Sequence, residues 1–125
     1  MIDAPHMVAA VEAYIDGFNQ RDPKAIANLY ADNATVEDPV GSAPKKGKAE
    51  IEKFYAGAVS AGAKLKLEGP VRVTKEYAVF PFSVNMSIQG AGGRKIDVID
   101  TFKFDEQGKV VEMRAFWGPT NMHGF

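Results

Sequence analysis

The chain contains no cysteine. That excludes a disulfide framework, a thiolate nucleophile and a cysteine-bound zinc site. Histidine is nearly as scarce. His6 and His123 lie close to the two ends, which argues against a histidine metal cluster, and no metal is expected. The same scarcity leaves Ser42, Ser60, Ser83 and Ser87 without a mid-chain base for a Ser-His-Asp triad. An excess of one charge is also missing: fifteen basic and sixteen acidic side chains leave a formal charge of −1, so no nucleic-acid footprint is expected. No apolar run approaches the ~18 residues of a membrane span. Residues 1–7 lack a basic segment followed by an apolar one, so no secretory signal is expected. No phosphate-cradling motif opens a helix; the glycine-rich stretch 90–93 falls between strands. These absences lead to the expectation of a cytoplasmic protein that binds neither nucleic acid nor membrane.

What is present is ordinary globular material. The 125 residues are 46% hydrophobic and 25% charged, enough for one core, and a single domain over 1–125 is expected. Val8, Val11, Ile15 and Phe18 make one apolar stripe and predict a helix from about Pro5 to Asn19. Asp22-Pro23 reads as an N-cap and first turn. The helix it starts carries Ile26, Leu29 and Tyr30 and ends near Asp32-Asn33. A short extended segment, 34–38, stops at Pro39. A third helix is predicted from about Ala49 to Ser60. Beyond Gly62 the period changes to two. One long strand broken at Gly69-Pro70 is predicted over 64–67 and 71–74, then strands at 78–88, 94–104 and 109–117, with a hairpin at 90–93. Three helices before a curved antiparallel sheet give an α+β fold, the helices packed in the concave face. Such a cone has an open end where a ligand cavity forms.

Parity on the strands then picks out candidate chemistry. On 94–104 the even face reads Ile96, Val98, Asp100, Phe102, Phe104, so an aspartate sits amid an apolar face. An ionised carboxylate there is costly, and Asp100 is expected to find partners or keep its proton. A structural role tied to backbone amides is the plain alternative. Asp38 shares the parity of Val36, while Glu37 points the other way. Pro39 pushes Asp38 toward extended backbone. Taken alone, the Asp-Pro-Val-Gly run 38–41 also fits a simple turn. Tyr14, Tyr30 and Tyr55 fall on the inner stripes of their predicted helices. One inward tyrosine is usually packing, but three beside two inward aspartates point to a polar network in an apolar cavity. Lys45, Lys46 and Lys48 read as a solvated face.

These same residues carry a family likeness. Residues 29–42, with their Ala-Thr-Val-Glu-Asp-Pro run at 34–39, together with Phe54-Tyr55-Ala56, Val98-Ile99-Asp100 and Arg114-Ala115-Phe116-Trp117, resemble the bacterial Δ5-3-ketosteroid isomerases of the nuclear transport factor 2-like superfamily. The resemblance implies a cone-shaped fold and conversion of 3-oxo-Δ5-steroids to conjugated 3-oxo-Δ4-steroids, without a cofactor. It implies that Asp38 is the general base, and that Tyr14 and Asp100 hold the 3-oxygen as it becomes a dienolate. Tyr55 and Tyr30 would support Tyr14. Phe54, Phe80, Phe82, Met113, Phe116 and Trp117 would line the steroid pocket. That family is itself a standard instance of an aspartic acid kept neutral so that it can donate a hydrogen bond. The resemblance also implies a homodimer packed sheet on sheet; in the sequence itself, Val79 and Phe102 would leave an apolar outer patch if the sheet curls. Two other classes fit the same cone. One is a binding module for a hydrophobic ligand or a protein, which has no need of two buried carboxyls. The other is a hydrolase, dehydratase or cyclase. An epoxide hydrolase would want an arginine in the cavity, and parity turns Arg114 outward.

Overall fold

The computed structural model describes residues 2–88 and 92–125. Helix α1 spans Ala4–Asn19, α2 spans Pro23–Ala27 and α3 spans Lys48–Ser60. Two aspartates start the first two. Asp3 accepts a hydrogen bond from His6 N at 3.0 Å, and Asp22 accepts one from Ala25 N at 3.1 Å. Each thereby satisfies an amide that the helix leaves unpaired. Gly17 lets the first two helices meet closely, since a Cβ there would lie 3.2 Å from Ile26 Cγ1.

The strands are β1 (Tyr30–Glu37), β2 (Lys45–Lys46), β3 (Lys64–Leu67), β4 (Arg72–Val73), β5 (Tyr77–Ile88), β6 (Gly92–Phe104), β7 (Val110–Phe116) and β8 (Met122–His123). They form one sheet ordered β2-β1-β7-β6-β5-β3, with β4 paired to β5 and β8 paired to β6. The ladder between β5 and β6 runs from Tyr77↔Lys103 to Ile88↔Gly92. Gly92 and Gly93 therefore belong to the strand; the rest of the expected hairpin, 90–91, lies outside the described residues.

Two departures from the sequence reading matter for the site. Tyr30 is not helical. Helix α2 has five residues, too few to hold itself together without tertiary support. Tyr30 instead pairs with Val110, beginning β1. Strand β1 also runs parallel to β7, so the sheet is mixed rather than wholly antiparallel. The core lies between the sheet and the helices. Val11, Ile26, Ile51, Phe80, Phe102 and Met113 are all fully buried in it.

Candidate active site

The parallel pairing of β1 with β7 sets the site. Its register is Val36↔Met113 and Glu37↔Arg114, so the chain leaves β1 beside Ala115 and Val40 N donates to Ala115 O at 2.8 Å. On the other side of β7, Ala115 pairs with Asp100. Asp38 and Asp100 therefore flank one small residue. The two intervening strand spacings put about 10 Å between their backbones.

A cavity of about 210 Å3 opens here, lined by Tyr14, Phe18, Asp38, Phe54, Tyr55, Ala58, Ala61, Ala63, Leu65, Phe82, Val84, Met86, Ile96, Val98 and Trp117. Asp38 and the two phenols are the oxygen-bearing side chains in an otherwise apolar wall. Asp100 stands one place further along the strand face that carries Ile96 and Val98. It is 1% exposed and does not itself form part of the lining.

The three tyrosines make a chain. Tyr55 donates to the Tyr14 hydroxyl at 3.2 Å, and the Tyr30 and Tyr55 hydroxyls are 2.7 Å apart. Each phenol has one proton to give. If Tyr55 spends its proton on Tyr14, Tyr30 must donate to Tyr55, and the proton of Tyr14 remains available for a ligand. Burial, first of all causes, pushes all three phenols well above their ordinary range, and the nearby Asp100 adds to this. They stay neutral donors. The ring of Tyr14 is fixed edge-on against Phe102 at 5.2 Å and Tyr55 at 5.7 Å, so the hydroxyl has little freedom to swing.

The two carboxyls differ. Among the described residues neither oxygen of Asp100 makes a close hydrogen bond, although the Tyr14 hydroxyl is near enough to act on its charge. Burial raises its pKa far above the usual carboxylate value, the Asp38 charge raises it further, and the Tyr14 hydroxyl opposes them. A buried acid with unspent oxygens is an expensive feature, and such features mark functional sites. Asp38 is half-buried. Burial raises its pKa too, but Trp117 Nε1 donates to Oδ1 at 2.8 Å and stabilises the charged form.

The structure brings together Tyr14, Asp38, Tyr55, Phe54, Phe82 and Trp117 around the cavity, with Tyr30 and Asp100 buried behind. It does not bring all the expected lining residues there. Phe80 and Met113 are fully buried in the core, Phe80 stacked on Phe82 at 5.6 Å. Phe116 is 42% exposed on the opposite face, because Ala115 takes the inward position beside Asp100. Phe102 is likewise core, not outer patch. The hydrogen bond from Trp117 to Asp38 was not legible in the sequence, since nothing in strand parity relates positions 79 residues apart. Val84 and Met86 were missed as lining, although they continue the even face of β5 beyond Phe82. Arg114 lies outside the cavity, its Nε 3.0 Å from Glu37 Oε1. Among the described residues, no cluster of potential ligands is arranged to hold a metal, and no helix is long and apolar enough to cross a membrane.

Helices closing one face of an open mixed sheet over a cavity with buried acids define an α+β cavity protein of the cone-like kind. The chain belongs to the SnoaL-like domain family, whose model matches residues 11–113. It is 44% identical over 117 residues to the Steroid Delta-isomerase of Nocardioides simplex, covering 91% of each chain. A solved structure in the same fold is SalBIII, described as an epoxide hydrolase/cyclase-like enzyme with a role in pyran ring formation in the polyether salinomycin. The likeness has a TM-score of 0.88 at 27% identity and covers 98% of both chains.

Proposed function

We propose that the protein is a steroid Δ-isomerase that moves the double bond of a 3-oxo-Δ5-steroid into conjugation by intramolecular proton transfer. The observation that carries this reading is the pair of aspartates flanking Ala115, one half-buried and braced by Trp117, the other sealed beside Tyr14 with both oxygens unspent. The 44% identity to a steroid Δ-isomerase supports it.

In this mechanism the Asp38 carboxylate takes the proton from C4. The C4–H electrons form the C3–C4 double bond, and the carbonyl pair moves onto O3. Tyr14 and neutral Asp100 donate hydrogen bonds to that oxygen, where the negative charge develops. Asp38 then returns its proton to C6, and the pair flows back to leave a C4–C5 double bond. Nothing is consumed. The apolar wall keeps water from the carbanionic intermediate. Tyr55 and Tyr30 keep the Tyr14 proton directed at the ligand. An arginine set between two carboxylates, as epoxide opening wants, is lacking in the cavity lining; Arg114 lies outside it, paired with Glu37.

The catalytic unit in this reading is a cytoplasmic homodimer. Ile99 and Phe116, paired across β6 and β7, are 47% and 42% exposed on the sheet face away from the helices. Two such large apolar side chains side by side suit a second copy's sheet.

The test is ultraviolet absorbance at the conjugated enone band with 5-androstene-3,17-dione. The wild type is expected to produce the Δ4 product, and Asp38→Asn to lose turnover while still binding a phenolic steroid. Equal turnover by the variant would remove Asp38 from the role of base.

A further inference from the structure

A second hollow shares one wall residue, Met86, with the cavity. Along the inward face of β6 burial declines from Asp100 through Val98 to Ile96 and Arg94. Arg94 pairs with Met86 across the β5–β6 ladder, and Met86 borders both the cavity and the hollow of about 530 Å3. Lys64, Arg94 and Lys95 line that hollow, and no acidic residue does.

Two of the three cations are already engaged. Lys64 Nζ donates to Asn19 O at 2.7 Å, and Lys95 Nζ lies 3.5 Å from Asp97 Oδ1. Arg94 forms no salt bridge among the described residues. Its Nε is buried without a partner, and its guanidinium is held 5.2 Å from the Phe125 ring. An arginine beside an aromatic ring, with no acidic partner among the described residues, suits a planar or tetrahedral anion.

Six residues of strand separate Asp100 from Arg94, about 20 Å of backbone. That exceeds the length of a four-ring nucleus whose 3-oxygen rests at Tyr14. A group reached by Arg94 must sit on a side chain beyond the nucleus. We infer that Arg94 and its hollow bind an anionic group ending a side chain at the far end of the substrate, so that the substrate class is an acidic 3-oxo steroid. This rests on the isomerase reading for the orientation of the ligand.

The probes are a 3-oxo-Δ5-steroid with a carboxylic acid ending a short C17 side chain, its methyl ester, and the sulfate ester of the corresponding alcohol. The one tryptophan, Trp117, lies in the cavity wall, so quenching of its fluorescence reads binding without turnover. The wild type is expected to bind the acid about tenfold more tightly than the ester, the scale of one hydrogen bond to a charged group. Added salt should erode that preference. Arg94→Gln should abolish it while leaving the ester's binding and turnover unchanged. A sulfate that gains as much as the acid supports a general anion site, and one that gains nothing supports a carboxylate site. No acid preference in the wild type, or the same preference in Arg94→Gln, overturns the proposal. Absence of any acid preference in the wild type, with the ester still isomerised, refutes the anion site alone. Intact preference with no isomerisation of either compound refutes the isomerase reading alone.

Discussion

Asp100→Asn changes one buried carboxyl to an amide of nearly the same shape, and its consequence for stability can be worked out from burial. In the folded chain Asp100 is 1% exposed, with neither oxygen in a close hydrogen bond among the described residues. Its pKa is raised well above the ordinary carboxylate value, by burial first and by the Asp38 charge second. The unfolded chain gives up this proton near pH ~3.9. Between that pH and the raised folded pKa, the native state binds the proton and the unfolded state does not. Stability of the wild type therefore falls as pH rises through this window, by about 1.4 kcal/mol per unit from this residue. Asparagine does not titrate, so the variant escapes the loss. The stability of Asp100→Asn relative to wild type should therefore grow as pH rises above the unfolded-state carboxylate value. Urea denaturation of both proteins at several pH values measures it. Activity gives a second reading. The amide can still donate to a ligand oxygen, so its turnover should exceed that of Asp100→Leu, which should fall by about 10²–10³ on losing one donor. A stability difference that stays flat as pH rises above the unfolded-state carboxylate value would refute the claim that the acid keeps its proton in the fold.

Other substitutions probe separate links. Trp117→Phe removes the hydrogen bond that lowers the pKa of Asp38, so the acid limb of the kcat/KM profile should move to higher pH; an unmoved limb would show that the contact does not reach the base. Phe116→Glu places a charge on the outer sheet face, 42% exposed in the single chain. Sedimentation should show a shift toward monomer, and an unchanged coefficient would place any interface elsewhere.

Much of the site was legible because period-two alternation is a local property. Asp100 falls among Ile96, Val98 and Phe102 on any reading of β6, and the Asp22-Pro23 start of α2 needs only neighbouring residues. What was not legible depends on distant pairing. Tyr30 has helical spacing from Ile26, yet the ladder bonds available beside Val110 outweigh that local pattern. The parallel pairing of β1 with β7 has no signature in either segment, and it is this pairing that delivers Asp38 to the edge of the cavity. Phe116 was expected to line the pocket, but only one of two successive strand residues can face in. Ala115 takes that place because the register sets it opposite Asp100.

The small residue between the acids also bears on why the two can hold opposite roles. Burial pushes both upward, so placement in an apolar cavity alone does not assign one as base and the other as donor. The asymmetry comes first from depth of burial, Asp100 being sealed and Asp38 half-buried. Trp117 adds to it by offering its N–H to Asp38, which lowers the cost of a charge there. Asp38 therefore ionises first as pH rises. Its charge then opposes ionisation of Asp100 across the width of Ala115, and the first deprotonation reinforces the neutrality of the second acid. When Asp38 takes a proton from a ligand, that opposing charge moves onto the ligand oxygen. The donors Tyr14 and Asp100 then face a negative charge at the stage when they have most to stabilise. A cavity built in this way favours moving one proton within one ligand, because the charge on Asp38 holds Asp100 neutral and able to donate.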